Sequence, residues 1–404
     1  MQVTSMRPHA LPNMGRPMRI LHVISSVNPA TGGPIEAVRQ LSRIHVSQGH
    51  IVEIVSLDAP DAPWVADCPL PCHALGPTVA GVYAYTPRLT PWMRQHADQF
   101  DAVVLHGIWQ YHGFGSWRAL RKGRVPYYVY PHGMLDPWFK RQYPLKHFKK
   151  WMFWPWGDYR VLRDARAVLF TCEDERILAR QSFWLYRCQE RVLSFGTNPP
   201  PEDVQAQRDA FLHKFPALTE TRNLLFLGRV HEKKGADILL HALAQIRDER
   251  PNSLSGVRLV MAGPTDHAYG QQMLALSQTL KLQDLVVWTG MLQGPEKWGA
   301  FRTADAFILP SHQENFGIAV AESLACEVPV LISRQVNIWR EIDAAGAGYM
   351  EEDTVDGTRQ LVTRWLDTPA SAWAPKRRAA RACFEQHFLM ERSAQDLLDT
   401  LALG

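Results

Sequence analysis

Residues 306–330 read AFILPSHQENFGIAVAESLACEVPV. An apolar strand over 306–310 runs into a polar loop, 311–316, and a helix follows over 317–326. Two carboxylates hold fixed places across this break. Glu314 lies in the loop and Glu322 on the helix, with seven residues between them. A helix start leaves its first backbone N–H groups without intrahelical partners, here at Phe316, Gly317 and Ile318. Those groups, with the positive end of the helix dipole, suit an anion or a row of hydroxyls. One carboxylate before the helix and one on it can grip two parts of a single polyol.

The same strand–turn–helix step recurs upstream. A strand over 223–227 is followed by the basic turn Gly228-Arg229-Val230-His231-Glu232-Lys233-Lys234-Gly235. The helix over 236–247 is apolar at Ile238, Leu239, Ala242, Leu243 and Ile246, a helical spacing. Further strands fall at 258–262, 285–289, 306–309 and 329–332. Arg229 and Lys234 stand just past a strand end, where two cations can neutralise a diphosphate. Arg offers a planar fork and Lys a point charge.

The first half of the chain repeats the pattern. Apolar 18–25 leads through NPATGGP, 28–34, into a helix over 35–48. Gly32-Gly33 lets the backbone approach a ligand closely, but the loop does not match G-x-G-x-x-G, which disfavours a dinucleotide. Strands follow at 51–57, 101–106, 125–130, 167–171 and 191–194. Two end in a histidine–glycine pair, His106-Gly107 and Pro131-His132-Gly133. In an open parallel sheet ligands gather at such carboxyl ends.

Asn198-Pro199-Pro200-Pro201 cannot continue a helix, so the linker between the two halves is placed there. Residues 1–17 read as a flexible extension, 18–200 and 201–375 as two α/β domains, and 376–404 as a terminal helix. Its buried side is expected at Phe384, Phe388, Leu397, Leu398 and Leu401. Residues 138–160, WFKRQYPLKHFKKWMFWPWGDYR, hold six Lys or Arg, one acid and nine aromatics. That mixture suits the headgroup level of an anionic membrane. A helix packing its aromatics on its own domain is the alternative.

Composition sets the outer limits. The chain has 404 residues, 46% of them hydrophobic, and a net charge of +4, too small to indicate nucleic acid. No run reaches the roughly 18 apolar residues of a membrane span, and the start lacks the apolar segment of a secretion signal, so a cytoplasmic protein is expected. Cys68, Cys72 and His73 have no second pair of ligands to complete a metal site.

The string E-N-F-G-I-A-x-x-E between an apolar strand and an apolar helix resembles the signature of retaining family-4 glycosyltransferases of GT-B fold. So does the run from Gly228-Arg229 through Lys234-Gly235 to Leu239-Leu240 and Ala242. The resemblance implies two Rossmann-like doubly wound domains facing a central cleft, acceptor bound by the first and nucleotide-sugar by the second, with the terminal helix crossing back to the first. It places Arg229 and Lys234 on the donor diphosphate with Gly33 nearby, and Gly263, Met291 and Leu292 around the nucleotide. It places Glu322 on the ribose, and Glu314, Asn315, Phe316, Gly317 and Ile318 on the sugar, with His132 facing the reacting centre. Basic residues then replace a metal ion, and no cofactor is expected.

The implied activity is metal-independent transfer of a hexose, from UDP-glucose or a similar UDP-hexose, to a growing or lipid-linked surface polysaccharide. The alternatives are a GDP-mannose-dependent mannosyltransferase of the same fold and a non-catalytic two-lobed sugar-binding protein. Peripheral association with an anionic membrane through 138–160 completes the expected partners.

Overall fold

The computed structural model describes residues 16–403. The extension expected over 1–17 therefore lies, but for its last two residues, outside the described residues. Seven strands make the first sheet: β1 (Arg19–Ile24), β2 (Ile51–Ser56), β3 (Cys72–Ala74), β4 (Ala102–His106), β5 (Tyr127–Tyr130), β6 (Ala167–Phe170) and β7 (Glu190–Val192). Their order is β3-β2-β1-β4-β5-β6-β7. Six make the second: β8 (Arg222–Leu227), β9 (Val257–Ala262), β10 (Val286–Gly290), β11 (Ala306–Leu309), β12 (Val330–Ser333) and β13 (Gly348–Glu351), in the order β10-β9-β8-β11-β12-β13. Every neighbouring pair of the second sheet runs parallel.

The doubly wound α/β architecture expected from the sequence is the one the chain adopts. The reason is visible strand by strand. β4, β5, β6, β11 and β12 are buried at every residue, as strands covered by helices on both faces must be. In each sheet the strand order reverses once, between β1 and β4 and between β8 and β11. These reversals are the places where loops diverge and leave a crevice for a ligand.

Two strands escape the sequence reading, β3 and β13. Both are short edge strands, too brief for hydrophobic periodicity to register. Gly348 lets β13 close on β12, since a Cβ there would stand 2.0 Å from the Val330 carbonyl oxygen. The terminal segment, expected as one helix, is two: Ala370–Cys383 and Met390–Ala402, joined through a π turn, Phe384–Phe388. The break answers a backbone tie. Thr197 N–H donates to the Phe388 carbonyl at 2.9 Å, and Met390 N–H to the Thr197 carbonyl at 3.2 Å. The five side chains expected to be buried there are buried.

The chain forms two compact units. One holds residues up to Val129 with Arg160–Ala167; the other holds Tyr130–Tyr159 with Val168–Leu403. The larger unit thus carries the whole second sheet, the turn at Pro131-His132-Gly133 and the aromatic–basic segment as far as Tyr159. Pro199, Pro200 and Pro201 lie in irregular chain between β7 and β8. Among the described residues no helix is long and apolar enough to cross a membrane.

Candidate donor site at the carboxyl ends of the second sheet

The motif residues of the larger unit follow four adjacent strands. Met291 and Leu292 come after β10, Gly263 after β9, Arg229 after β8, and Ser311 to Phe316 after β11. Parallel pairing puts all four strand ends on one edge, with the reversal between β8 and β11 at its centre. Residues spread over about a fifth of the chain are thereby set side by side.

The centre is an ion pair. Lys234 Nζ contacts Glu314 Oε2 across the reversal. Lys234 ends a short 3-10 turn, Glu232–Lys234, and Gly235 follows with φ +68°. A Cβ on Gly235 would lie 2.2 Å from the Pro310 carbonyl oxygen. Only glycine lets the basic turn approach the end of β11 so closely. His312 N–H donates to the Lys233 carbonyl at 2.8 Å, which locks turn and loop together. Burial pushes the Lys234 ammonium down to about 8, and Arg229 and Lys233 add repulsion. The touching Glu314 carboxylate opposes that shift. Arg229 is exposed and reaches solvent from the same edge.

The Glu314 backbone is fixed on both sides. Its N–H donates to Gln335 O at 2.9 Å, and its carbonyl accepts from Asn337 N at 3.0 Å. Phe316 packs edge-on against Phe195 and Phe388, with ring centres 5.2 and 5.7 Å away. Such pairs contribute about 0.5–1.5 kcal/mol each beyond burial, so the loop is anchored to the core. Gly317, at φ +75°, caps the helix Ile318–Ala325. Among the described residues the N–H groups of Phe316, Gly317 and Ile318 have no recorded acceptor.

Glu322 is separate from that pair. It is 6% exposed, and Lys297 Nζ donates to its Oε1 at 2.5 Å. Gly263 N–H donates to Gly290 O at 2.9 Å, joining the ends of β9 and β10. Met291 is open to solvent and Leu292 is buried. Gly33 opens the first helix of the smaller unit, Gly33–Ser47.

His132 and Asn315 meet through their neighbours. His132 has φ +51° and Gly133 φ +73°. A Cβ on Gly133 would lie 2.8 Å from Asn315 Cβ. The Asn315 amide turns to Thr171, donating to its Oγ1 at 3.0 Å. The His132 ring stacks on Tyr130, and burial drives its pKa down to about 4, so it is neutral near pH 7.

Four groups beside the site were not singled out in the sequence. Lys233 Nζ lies 4.8 Å over the Trp138 ring and 4.3 Å over the Phe139 ring. Asp136 accepts from Gln313 Nε2 at 3.3 Å, and burial raises its pKa. Lys297 pairs with Glu322, and Glu175 binds the Gly133 N–H at 2.6 Å. Only Glu175 left a local trace: Cys172-x-x-Glu175 after an apolar strand has the spacing of a capping box. Among the described residues no three His, Cys, Asp or Glu side chains are grouped to hold a metal ion.

Comparison with known proteins gives the family. Residues 207–382 match "Glycosyl transferases group 1" and residues 32–196 match "Glycosyl transferase 4-like domain". A D-inositol 3-phosphate glycosyltransferase of Kineococcus radiotolerans is 33% identical over 175 residues, 39% of this chain and 39% of that protein. The chain thus spans about two fifths of the length of the curated relatives it matches. Sucrose-phosphate synthase from Thermosynechococcus elongatus superposes with a TM-score of 0.71 at 20% identity, over 95% of this chain and 98% of that one. HepE of Anabaena, solved with UDP-glucose, gives 0.72 at 16% identity, over 96% and 100%. The two matched segments and the shared two-sheet fold place the chain among the group 1 glycosyl transferases, in the family-4 branch with the GT-B fold.

Proposed function

We propose that the chain moves a hexose from a UDP-sugar, with retention at the anomeric carbon, to a saccharide or lipid-linked saccharide of a surface polysaccharide. The observation that carries this reading is the Lys234–Glu314 pair at the reversal between β8 and β11, with Arg229 beside it. HepE, a neighbour in fold, has been solved with UDP and glucose, which favours UDP over GDP as the donor nucleotide.

In this reading the donor exchanges partners within the pair. Its diphosphate takes Lys234 and Arg229, and the released Glu314 carboxylate accepts from hexose hydroxyls. Glu322 meets the ribose, and the backbone of Met291 and Leu292 borders the base. As the bond from the anomeric carbon to the diphosphate breaks, charge grows on the leaving oxygen. Arg229, Lys234 and the open amides of the helix Ile318–Ala325 are fixed in advance to meet it. The acceptor oxygen bonds to the same face of that carbon and passes its proton to a leaving phosphate oxygen. Neutral His132 orients the sugar, and no step draws on a metal ion. The test is nucleotide release from UDP-glucose, GDP-mannose and ADP-glucose. Slow hydrolysis fastest with UDP-glucose is expected. Fastest release from GDP-mannose would make the chain a mannosyltransferase, and binding without turnover would leave the non-catalytic sugar-binding reading.

The same reading puts the protein peripherally on the cytoplasmic face of an anionic membrane. The helix Pro144–Phe153 has no buried residue. Leu145 is 81% and Phe148 56% exposed, with Met152 and Trp151 beside them. Trp184 joins this face, its ring centre 6.1 Å from that of Trp151. The inward side is His147, stacked on Phe183. An apolar face turned to water, flanked by Lys146 and Lys149, fits acyl chains below and anionic headgroups around it. Trp154, buried, and Trp138, under Lys233, belong to the unit's own packing. Co-sedimentation with vesicles containing phosphatidylglycerol, weakened by salt and by Leu145→Ser with Phe148→Ser, is expected. Equal recovery on neutral vesicles, or none on either, would remove the membrane from the account.

A further inference from the structure

The buried carboxylate of Glu175 is 3% exposed, and no cation is recorded against it among its hydrogen bonds. It lies in the first turn of the helix Glu173–Ala179. In an ordinary capping box such a glutamate returns only to the N-terminus of its own helix. Here one oxygen, Oε2, accepts from Thr171 N and Thr171 Oγ1, both at 2.7 Å. The other, Oε1, leaves the helix and accepts from Gly133 N at 2.6 Å. The Thr171 hydroxyl, its proton given to Glu175, accepts in turn from Asn315 Nδ2 at 3.0 Å. One carboxylate therefore joins three segments: the turn that sets His132, the end of β6, and the loop that carries Glu314. The turn needs the support. His132 is held at φ +51°, in the left-handed region that residues with a Cβ disfavour. Burial raises the Glu175 pKa, and the bonds from Thr171 and Gly133 resist that rise.

We propose that Glu175 is a positioning residue of the transfer reaction: without touching the donor, it sets His132 and the Glu314 loop in register with each other. The inference rests on the transferase reading of that site. Lys234, Arg229 and Glu322 are not bonded to it, so nucleotide binding is independent of it while sugar alignment is not.

The experiment is Glu175→Gln, which keeps shape and can keep the bonds at only one of its two oxygen positions, alongside Thr171→Val, which removes the hydroxyl and so cuts the link to Asn315 together with the Oγ1–Glu175 bond, leaving those from Thr171 N and Gly133 N. Melting temperature controls for folding, calorimetry reads UDP binding, and steady-state assays read kcat and donor KM. Glu175→Gln is expected to hold UDP affinity within about twofold while kcat falls on the order of 10- to 100-fold, the scale of a misplaced reactive group. Thr171→Val is expected to act in the same sense, and the double variant to add little to Glu175→Gln, since both cut one network. A readout free of turnover is the His132 imidazole resonance, assigned with His132→Gln. It is expected to move in Glu175→Gln while those of His22 and His112 stay. If the resonance moves but no sugar nucleotide is turned over by the wild type, the transferase reading fails and the structural link stands. A folded Glu175→Gln protein with wild-type kcat and an unmoved His132 signal would overturn the proposal. So would equal loss of UDP binding and kcat, which marks a general collapse.

Discussion

The two strand reversals share a topology and differ in chemistry. Between β1 and β4 the groups are buried histidines, a carboxylate and a cation, Arg39, whose Nη2 already donates to the Val27 carbonyl at 3.2 Å. His22 Nδ1 and His106 Nε2 share a hydrogen bond of 2.8 Å, and His112 Nε2 meets the His106 carbonyl at 2.9 Å. Burial pulls the pKa of His22 down to about 3 and that of His112 to about 4. Asp58 accepts from Ser26 Oγ, Val27 N and Trp64 Nε1 at 2.6 to 2.9 Å. Between β8 and β11, Arg229, Lys233 and Lys234 gather around one touching carboxylate, Glu314. A diphosphate entering the first would meet a carboxylate whose donors are already spent. Entering the second it meets cations short of counter-charge. The lesson is that the fold supplies two equivalent crevices and the side chains choose between them.

The widest expected gap between the two ends is in turnover. Lys234→Ala or Arg229→Ala should lose about 2–4 kcal/mol of transition-state stabilisation, on the order of a hundredfold or more in kcat/KM. Melting temperature should hold in Arg229→Ala, since Arg229 is exposed, and serves as the control for Lys234→Ala, which leaves Glu314 without its partner. Near-normal turnover in both variants would erase the distinction between the two reversals.

Next in size is the contrast within the second end itself. Glu314 lies in the loop before the helix, with the amides proposed to hold the sugar, while Glu322 sits on the helix against Lys297 and is proposed to hold the ribose. Ribose contacts persist from ground state to transition state, and sugar contacts change as the ring flattens. Glu314→Gln should therefore lower kcat with UDP binding nearly intact, and Glu322→Gln should raise donor KM and weaken UDP. Calorimetry beside steady-state kinetics separates them. UDP binding lost in Glu314→Gln and kept in Glu322→Gln would reverse the two roles.

Acidity gives a graded test. In the proposed reaction Lys234 binds a diphosphate as the ammonium, and burial lowers its pKa to about 8 in the donor-free protein. The charged form dominates below that value, so donor kcat/KM should be level there and fall as pH rises through it. Lys234→Arg keeps its charge well beyond this range and should abolish the alkaline limb. A limb unchanged by that substitution belongs to another group.

The smallest effect expected is none. EDTA should leave transfer intact if, as proposed, Arg229, Lys234 and the helix amides do the work a metal does elsewhere. Loss with EDTA and recovery with Mg²⁺ would return a metal to the site.

The sequence reached the second reversal because its chemistry is local. Arg229, Lys234, Glu314 and Glu322 each follow or closely approach a strand end within one βα step, and a strand end is legible from an apolar run. Their partners were not. Lys297 meets Glu322 from another helix, and Glu175 meets Gly133 from 42 residues away. Such pairings are made by sheet order, which no window of the chain contains. The aromatic segment marks a different limit. Its composition announced both possibilities, packing and exposure, and the structure divides them residue by residue. Trp154 is inside while Leu145 and Phe148 are outside. In this ten-residue helix a histidine, His147, faces inward while Leu145, Phe148 and Met152 lie outside, so the rule that an apolar stripe marks the buried side gives the wrong division.

The central claim is that the donor diphosphate belongs to the reversal between β8 and β11 and not to its twin between β1 and β4. Titration calorimetry of UDP into the wild type, Lys234→Ala and Asp58→Asn tests it most directly. The account predicts that Lys234→Ala weakens UDP by on the order of 30-fold or more, the cost of losing one buried charge-assisted partner, and that Asp58→Asn leaves it within about twofold of the wild type, since Asp58 touches no diphosphate in this account. UDP affinity unchanged in Lys234→Ala and altered by Asp58→Asn would put the diphosphate at the other end and contradict it.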